Sequence, residues 1–173
     1  TLVLFPSYHL MGAVFQKVRE EIKFPLLMVR KNSQNTIRQF RQLQNAVLFA
    51  AGSCWEGMDF PGDMVSSLII ARLPFPIPDP ISEAEQKRYP SLQDYIRAVV
   101  VPDMQRKLRQ GFGRAIRTET DTCTVSILDY RALPDGRYHQ AALNALPSMP
   151  ITGKIADVER FVREKKGPDY FIR

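Results

Sequence analysis

Five short apolar runs, Leu2 to Phe5, Pro25 to Val29, Ala46 to Ala50, Leu68 to Ala71 and Thr124 to Leu128, set most of what this chain can become. Each is nearly continuous in apolar residues, without the alternation of a strand wet on one face, so each reads as a strand buried on both faces. Amphipathic segments separate several of them, notably His9 to Glu21 and Thr36 to Leu43. Strands alternating with helices predict an α/β domain built on a mainly parallel sheet. At 173 residues, 45% of them hydrophobic, the chain suits one well-buried domain and is too short for two independent ones.

The stretch from Arg72 to Val101 breaks the rhythm. Pro74, Pro76, Pro78, Pro80 and Pro90 surround a short polar segment, Ser82 to Arg88, and predict a long irregular connection, either a functional one or a rigid surface excursion. Beyond the fifth run, the spacing of Ile155, Val158, Phe161 and Val162 is that of a helix, packed on the sheet or on a neighbour. No apolar run reaches the roughly 20 residues that span a bilayer, and Thr1 to Phe5 has no signal-peptide character, so a soluble intracellular protein without membrane contact is expected. Because Thr1 runs at once into LVLF, the chain reads as part of a larger protein. Cys54 and Cys123 form no Cys-x-x-Cys pair, which indicates buried free thiols and neither zinc nor a disulfide framework.

Ligands of open α/β sheets bind beyond the carboxyl ends of the strands. The loop GSCWEGMDFPGD, Gly52 to Asp63, follows the third run. Gly52, Gly57 and Gly62 permit turns and leave backbone N–H groups for an anion, Ser53 can donate to a phosphate, and Glu56 and Asp59 can accept from hydroxyls or orient a cation. The plainer use of this loop has Trp55 and Phe60 plugging the core beside solvated acids. Ser7 and Tyr8 follow the first run with a hydroxyl and a ring, and Arg131 follows Asp129 after the fifth. Their placement at the ends of different strands favours one shared site.

The segment QGFGRAIR, Gln110 to Arg117, carries the strongest chemical signal. A helix started at Pro102 and Asp103 places Arg106, Gln110, Arg114 and Arg117 along one line, with Met104, Leu108, Phe112 and Ala115 opposite. Basic helix faces are most often merely solvated. Gly111 and Gly113 argue otherwise, since each costs about 1 kcal/mol against alanine in a helix and implies a close approach to the backbone. A net charge of +6 favours a polyanionic partner. The chain holds no GxxxxGK[ST] phosphate loop and no Asp-Glu pair ending a strand, so it reads as half of an ATP site.

These segments together resemble the second RecA-like motor domain of superfamily 2 DNA helicases of the Rad3/XPD type, in the DinG branch. LVLFPSY is similar to helicase motif IV, GSCWEGMDFPGD with LIIARLPFPIPDP to motif V and its sequel, and QGFGRAIRTETD with ILDYR to motif VI. The resemblance implies a three-layer RecA-like α/β fold and, in the full-length protein, a 5′ to 3′ ATP-dependent DNA helicase at work in the bacterial cytoplasm. It assigns Gln110, Gly113, Arg114 and Arg117 to ATP, with Arg114 and Arg117 as arginine fingers and Gln110 beside them. Glu56, Gly57 and Asp59 match the motif V positions that couple nucleotide to DNA, while Ser7, Tyr8, Ser53 and Trp55 are candidate contacts with single-stranded DNA. Cys54 stands where many relatives carry a bulkier residue. ATP and Mg²⁺ belong mainly to a first motor domain, the expected partner, which would also carry any iron–sulfur cluster. The isolated domain is expected to be inactive. Two other readings stay open: a non-catalytic nucleic-acid-binding module, and a degenerate motor attached to a DinG-type exonuclease.

Overall fold

The computed structural model describes residues 1–29, 34–43, 45–52, 55, 58, 60, 64–116 and 121–167. Five parallel strands form one sheet: β1 (Leu2–Phe5), β2 (Leu26–Met28), β3 (Val47–Ala51), β4 (Ser67–Ile70) and β5 (Thr124–Ile127), in the order β2-β3-β1-β4-β5. Every strand lies within one or two residues of its apolar run. The reason is visible in β1, where successive side chains point to opposite faces and all four are buried, Leu2 and Leu4 on one side, Val3 and Phe5 on the other.

Helix α1 (Tyr8–Val18) covers the face of Val3, Phe5, Phe49 and Ala51, inserting Met11 with Val14 and Phe15 around it. The opposite face carries Leu2, Leu4, Leu48, Ala50, Leu68 and Ile70. It is closed by Phe40 of α2 (Gln34–Gln42), by Met104 and Leu108 of α5 (Val101–Phe112) and by Ala142 of α6 (His139–Asn144). Helix layers on both sides of a parallel sheet are the three-layer α/β architecture expected. The last helix, α7 (Ile155–Lys165), half-buries Val158, Phe161 and Val162 while Ile155 stays exposed. Just past its end, Lys166 Nζ donates to the Thr122 carbonyl at 3.0 Å, ahead of β5. Cys123 is half-buried and not buried as expected.

The stretch from Arg72 to Val101 is not irregular throughout. It carries α3 (Pro80–Gln86) and α4 (Leu92–Tyr95). Asp79 caps α3 by accepting from the Ser82 N–H at 2.7 Å while Ser82 Oγ accepts from the Asp79 N–H at 2.9 Å, a capping box readable in Asp79-Pro80-Ile81-Ser82. Nor does the arginine-bearing helix start at Pro102. Ser91 caps α4, and a π-turn over Ile96–Val100 joins it to α5, with the Val101 N–H donating to the Ile96 carbonyl. Pro102, which has no N–H to give, is accommodated at the start of the new α-helical ladder directly after that widened turn.

β1 leads through α1 on one face toward β2, whereas its neighbour β4 leads through α5 on the other face toward β5. The boundary between β1 and β4 is therefore the switch point of the sheet, where a crevice opens beyond the carboxyl ends.

Candidate nucleotide and nucleic-acid site

At the carboxyl end of β1, Ser7 caps α1 by accepting from the Leu10 N–H at 3.2 Å, which leaves its own hydroxyl proton free to donate. Tyr8 opens the helix and lays its ring against Gly52 at the end of β3, still 40% exposed. Gly52 has φ +63, and a β-carbon there would lie 2.9 Å from Tyr8 Cε2, so backbone conformation and close approach both require glycine.

Trp55 takes a different place from the one expected of a DNA contact. Its Nε1 donates to the Phe5 carbonyl at 2.9 Å and the residue is only 5% exposed, so the ring is core and not a stacking surface. It also explains one of the two glycines. A β-carbon on Gly111 would lie 2.7 Å from Trp55 Cζ3 and 3.1 Å from Leu4 Cδ1. The close approach to the helix thus comes from the chain's own indole. At Gly113, the C-terminal cap of α5, a β-carbon would meet nothing nearer than the Arg109 carbonyl at 3.5 Å, an ordinary contact, and the backbone is right-handed. Its glycine is not forced by packing.

The predicted stripe of basic side chains divides. α5 ends at Phe112, and Arg106 turns outward into an ion pair with Asp103, which also holds Lys107 at 3.2 Å. Met104, Leu108, Phe112 and Ala115 form the buried side as expected. Arg114, beyond the helix end, reaches into the loop after β3. Its Nε donates to the Trp55 carbonyl at 3.2 Å and its Nη1 to the Met58 carbonyl at 2.9 Å, while Nη2 has no partner among the described residues. Gln110 is half-buried one turn earlier, its Oε1 enclosed and without a donor among the described residues. A buried acceptor left in that state costs about 1 to 3 kcal/mol. Helical phase alone could not show that the arginine segment and the glycine-rich loop share one edge of the sheet; the Arg114 and Trp55 contacts join them. Ser53, Glu56, Gly57, Asp59 and Arg117 lie outside the described residues.

Arg131 does not join this group. Its guanidinium pairs with Asp129, Nη2 to Oδ2 at 2.7 Å and Nε to Oδ1 at 3.0 Å, and covers the Phe75 ring at 4.7 Å, with the Tyr138 ring tilted against Phe75 at 4.6 Å. Asp129 Oδ2 also accepts from the Leu73 N–H at 2.9 Å, pinning the exit of β4 to the exit of β5. The signal was a lone Asp-x-Arg, which sequence cannot tell from a surface pair. Burial alone would raise the Asp129 carboxyl, but the bonds from Arg131 and from the Leu73 and Arg131 N–H groups outweigh it and hold the pKa at about 2, against an ordinary 3.8. Because the folded value is depressed, its contribution of about 2 kcal/mol is complete above the ordinary value and is lost as pH falls through about 2. Asp129→Asn is therefore expected to flatten the fall in thermal stability between pH 4 and pH 2. An unchanged pH profile in that variant would show that the pair contributes nothing.

With this geometry in place, comparison with known proteins is direct. The family model described as the helicase C-terminal domain matches residues 1–149. The ATP-dependent DNA helicase DinG of Photobacterium profundum is 35% identical over 157 residues, covering 85% of this chain and 22% of its own length. The ATP-dependent DNA helicase YoaA of Haemophilus influenzae is 34% identical over 167 residues, 94% of this chain and 26% of its own. The 3′-5′ exonuclease DinG of Bacillus subtilis is 29% identical over 174 residues, 95% of this chain and 19% of its own. A solved structure of an XPD helicase superposes with a TM-score of 0.65 at 24% identity, over 87% of this chain and 28% of that one. The chain thus spans about a fifth to a quarter of the length of these curated relatives. No helix among the described residues is long and apolar enough to cross a membrane. The fold and the matching family agree: this chain belongs to the helicase C-terminal domain family.

Proposed function

We propose that this domain is the second motor of an ATP-dependent DNA helicase and completes in trans an ATP site whose phosphate loop and Mg²⁺ lie on a first motor domain of the same protein. The observation that carries this reading is the pair of hydrogen bonds that Arg114 donates to the Trp55 and Met58 carbonyls, which ties the QGFGRAIR segment to the glycine-rich loop. ATP supplies the transferable phosphoryl group. What this chain adds is cationic: the Nη2 of Arg114, which has no partner among the described residues, together with Arg117 neutralises charge on the transferring group. The enclosed Gln110 Oε1 fits the same reading, since a donor brought by the partner domain or its nucleotide would satisfy it. When Arg114 turns to the nucleotide it loosens its hold on the loop, and Glu56, Gly57 and Asp59 pass that change on to DNA held by Ser7, Tyr8 and Ser53. Repeated closure and opening of the cleft then moves the protein 5′ to 3′ along a single strand in the bacterial cytoplasm.

The test compares the full-length protein with this domain alone. Single-stranded DNA should stimulate ATP hydrolysis by the former, and the latter should hydrolyse none. Turnover by the isolated domain would contradict an arrangement in trans. A second reading rests on the Bacillus relative named as an exonuclease: the motor there would be a degenerate appendage, and full-length protein would degrade DNA without consuming ATP.

A further inference from the structure

The crevice beyond β1 and β4 has a side that the motifs do not account for. Arg72 leaves the end of β4, exposed, and makes no hydrogen bond or ion pair with any described residue. Backbone bonds from the Ala71 N–H to the Leu4 carbonyl at 3.0 Å and from the Leu128 N–H to the Ile70 carbonyl at 2.9 Å bring the exits of β1, β4 and β5 into line. Along that line stand Ser7 and Tyr8, then Arg72, then Tyr130, which is 78% exposed. Neighbouring strands are about 4.8 Å apart, so the rim from β1 to β5 spans roughly 10 Å.

Arg72 is held in this position by its neighbour. Leu73 is buried at 2% exposure and its N–H is fixed by Asp129, so the alternation of the chain turns Arg72 to solvent. Asp129, across the exits of β4 and β5, is taken up by Arg131 and the Leu73 N–H, so among the described residues no ion pair neutralises the guanidinium of Arg72. Exposed rings on either side of a guanidinium with no partner among the described residues are what an extended polyanion with aromatic bases requires.

We propose that Arg72 holds a backbone phosphate of single-stranded nucleic acid at the switch point of the sheet, with Tyr130 stacking a base beyond it. This rests on the helicase reading above and adds two residues to its DNA-facing side. The partner is a single strand and not a free nucleotide, because the rim is open and spread over three strand ends, with no phosphate-cradling glycine loop at β4.

The test is equilibrium binding of a fluorescent oligodeoxythymidylate to full-length protein at several salt concentrations. Arg72→Ala should weaken binding about tenfold at low salt and lower the slope of log affinity against log salt by about one. Arg72→Lys should recover most of the affinity, and Tyr130→Ala should weaken binding about fivefold or more with the slope intact. Arg97, about 20 Å back along the helical run from Gly111, is the charge control, and Arg97→Ala should change neither quantity. Wild-type affinity in Arg72→Ala, or an equal loss in Arg97→Ala, would overturn the proposal alone. A wild-type protein that does not bind the oligonucleotide would overturn both the proposal and the helicase reading.

Discussion

Replacing Arg114 with alanine in the full-length protein should lower DNA-stimulated ATP hydrolysis by about 10³-fold or more, the range for removing a cation that stabilises a transferring phosphoryl group. The same substitution removes two hydrogen bonds to the carbonyls of Trp55 and Met58, so a second, smaller effect is expected in the fold. Bonds from a charged donor contribute about 1.5 to 3 kcal/mol each, but Arg114 is half-exposed and solvent replaces part of them, so a loss of about 1 to 2 kcal/mol is the reasonable figure. Arg114→Lys separates the two roles. A lysine retains the charge and loses the planar fork, so it should keep part of the turnover while failing to bridge the two carbonyls. Wild-type turnover in Arg114→Ala would remove the catalytic role and leave Arg114 as a loop clamp.

Trp55→Ala should be the most destabilising single change in the described site. It removes a buried indole packed on Gly111 and leaves the Phe5 carbonyl without its donor. Phe or Trp truncations in cores cost about 3 to 5 kcal/mol, which for a domain of this size lowers Tm by roughly 10 °C. The reciprocal change is more telling. Gly111→Ala gains about 1 kcal/mol in helix propensity but drives a β-carbon into the indole, where overpacking costs about 1 to 3 kcal/mol. It should therefore be neutral to destabilising in the wild type and stabilising in a Trp55→Ala background, a coupling read from the double-mutant cycle by thermal denaturation. Additive effects would mean that the indole and the helix do not constrain one another.

The architecture was legible because its cause is local. A parallel strand with helices on both faces must be apolar at every position, and LVLF or VLFAA in the wrong place would have little other use. Helix starts were less legible. Pro102 looks like a first helical residue and stands second in α5, yet the helical run begins ten residues before it, since a π-turn can precede a proline without any marker in the composition. Site residues were the least legible for the same reason in each case: a polar or aromatic side chain has several uses that share a sequence signature. Trp55 after a strand fits a stacking platform as well as a core plug, and its ring turned inward because the Phe5 carbonyl lies within reach. Gly111 signalled a close approach correctly, but could not say that the approaching group was Trp55. Asp129 and Arg131 were visible as a pair at a strand end, whereas Leu73, the N–H that makes the pair structural, is 56 residues away in sequence.

Arg114 holds the loop through two carbonyls, and its proposed action on the nucleotide is tested most directly by one measurement. The affinity of the full-length protein for ATP and for an ADP–metal fluoride mimic of the transferring phosphoryl group should be compared between wild type and Arg114→Ala. An arginine that acts on the transition state should leave ATP affinity within about threefold and weaken the mimic by about 10²-fold or more. Equal losses for both ligands, or none for either, would contradict the assignment.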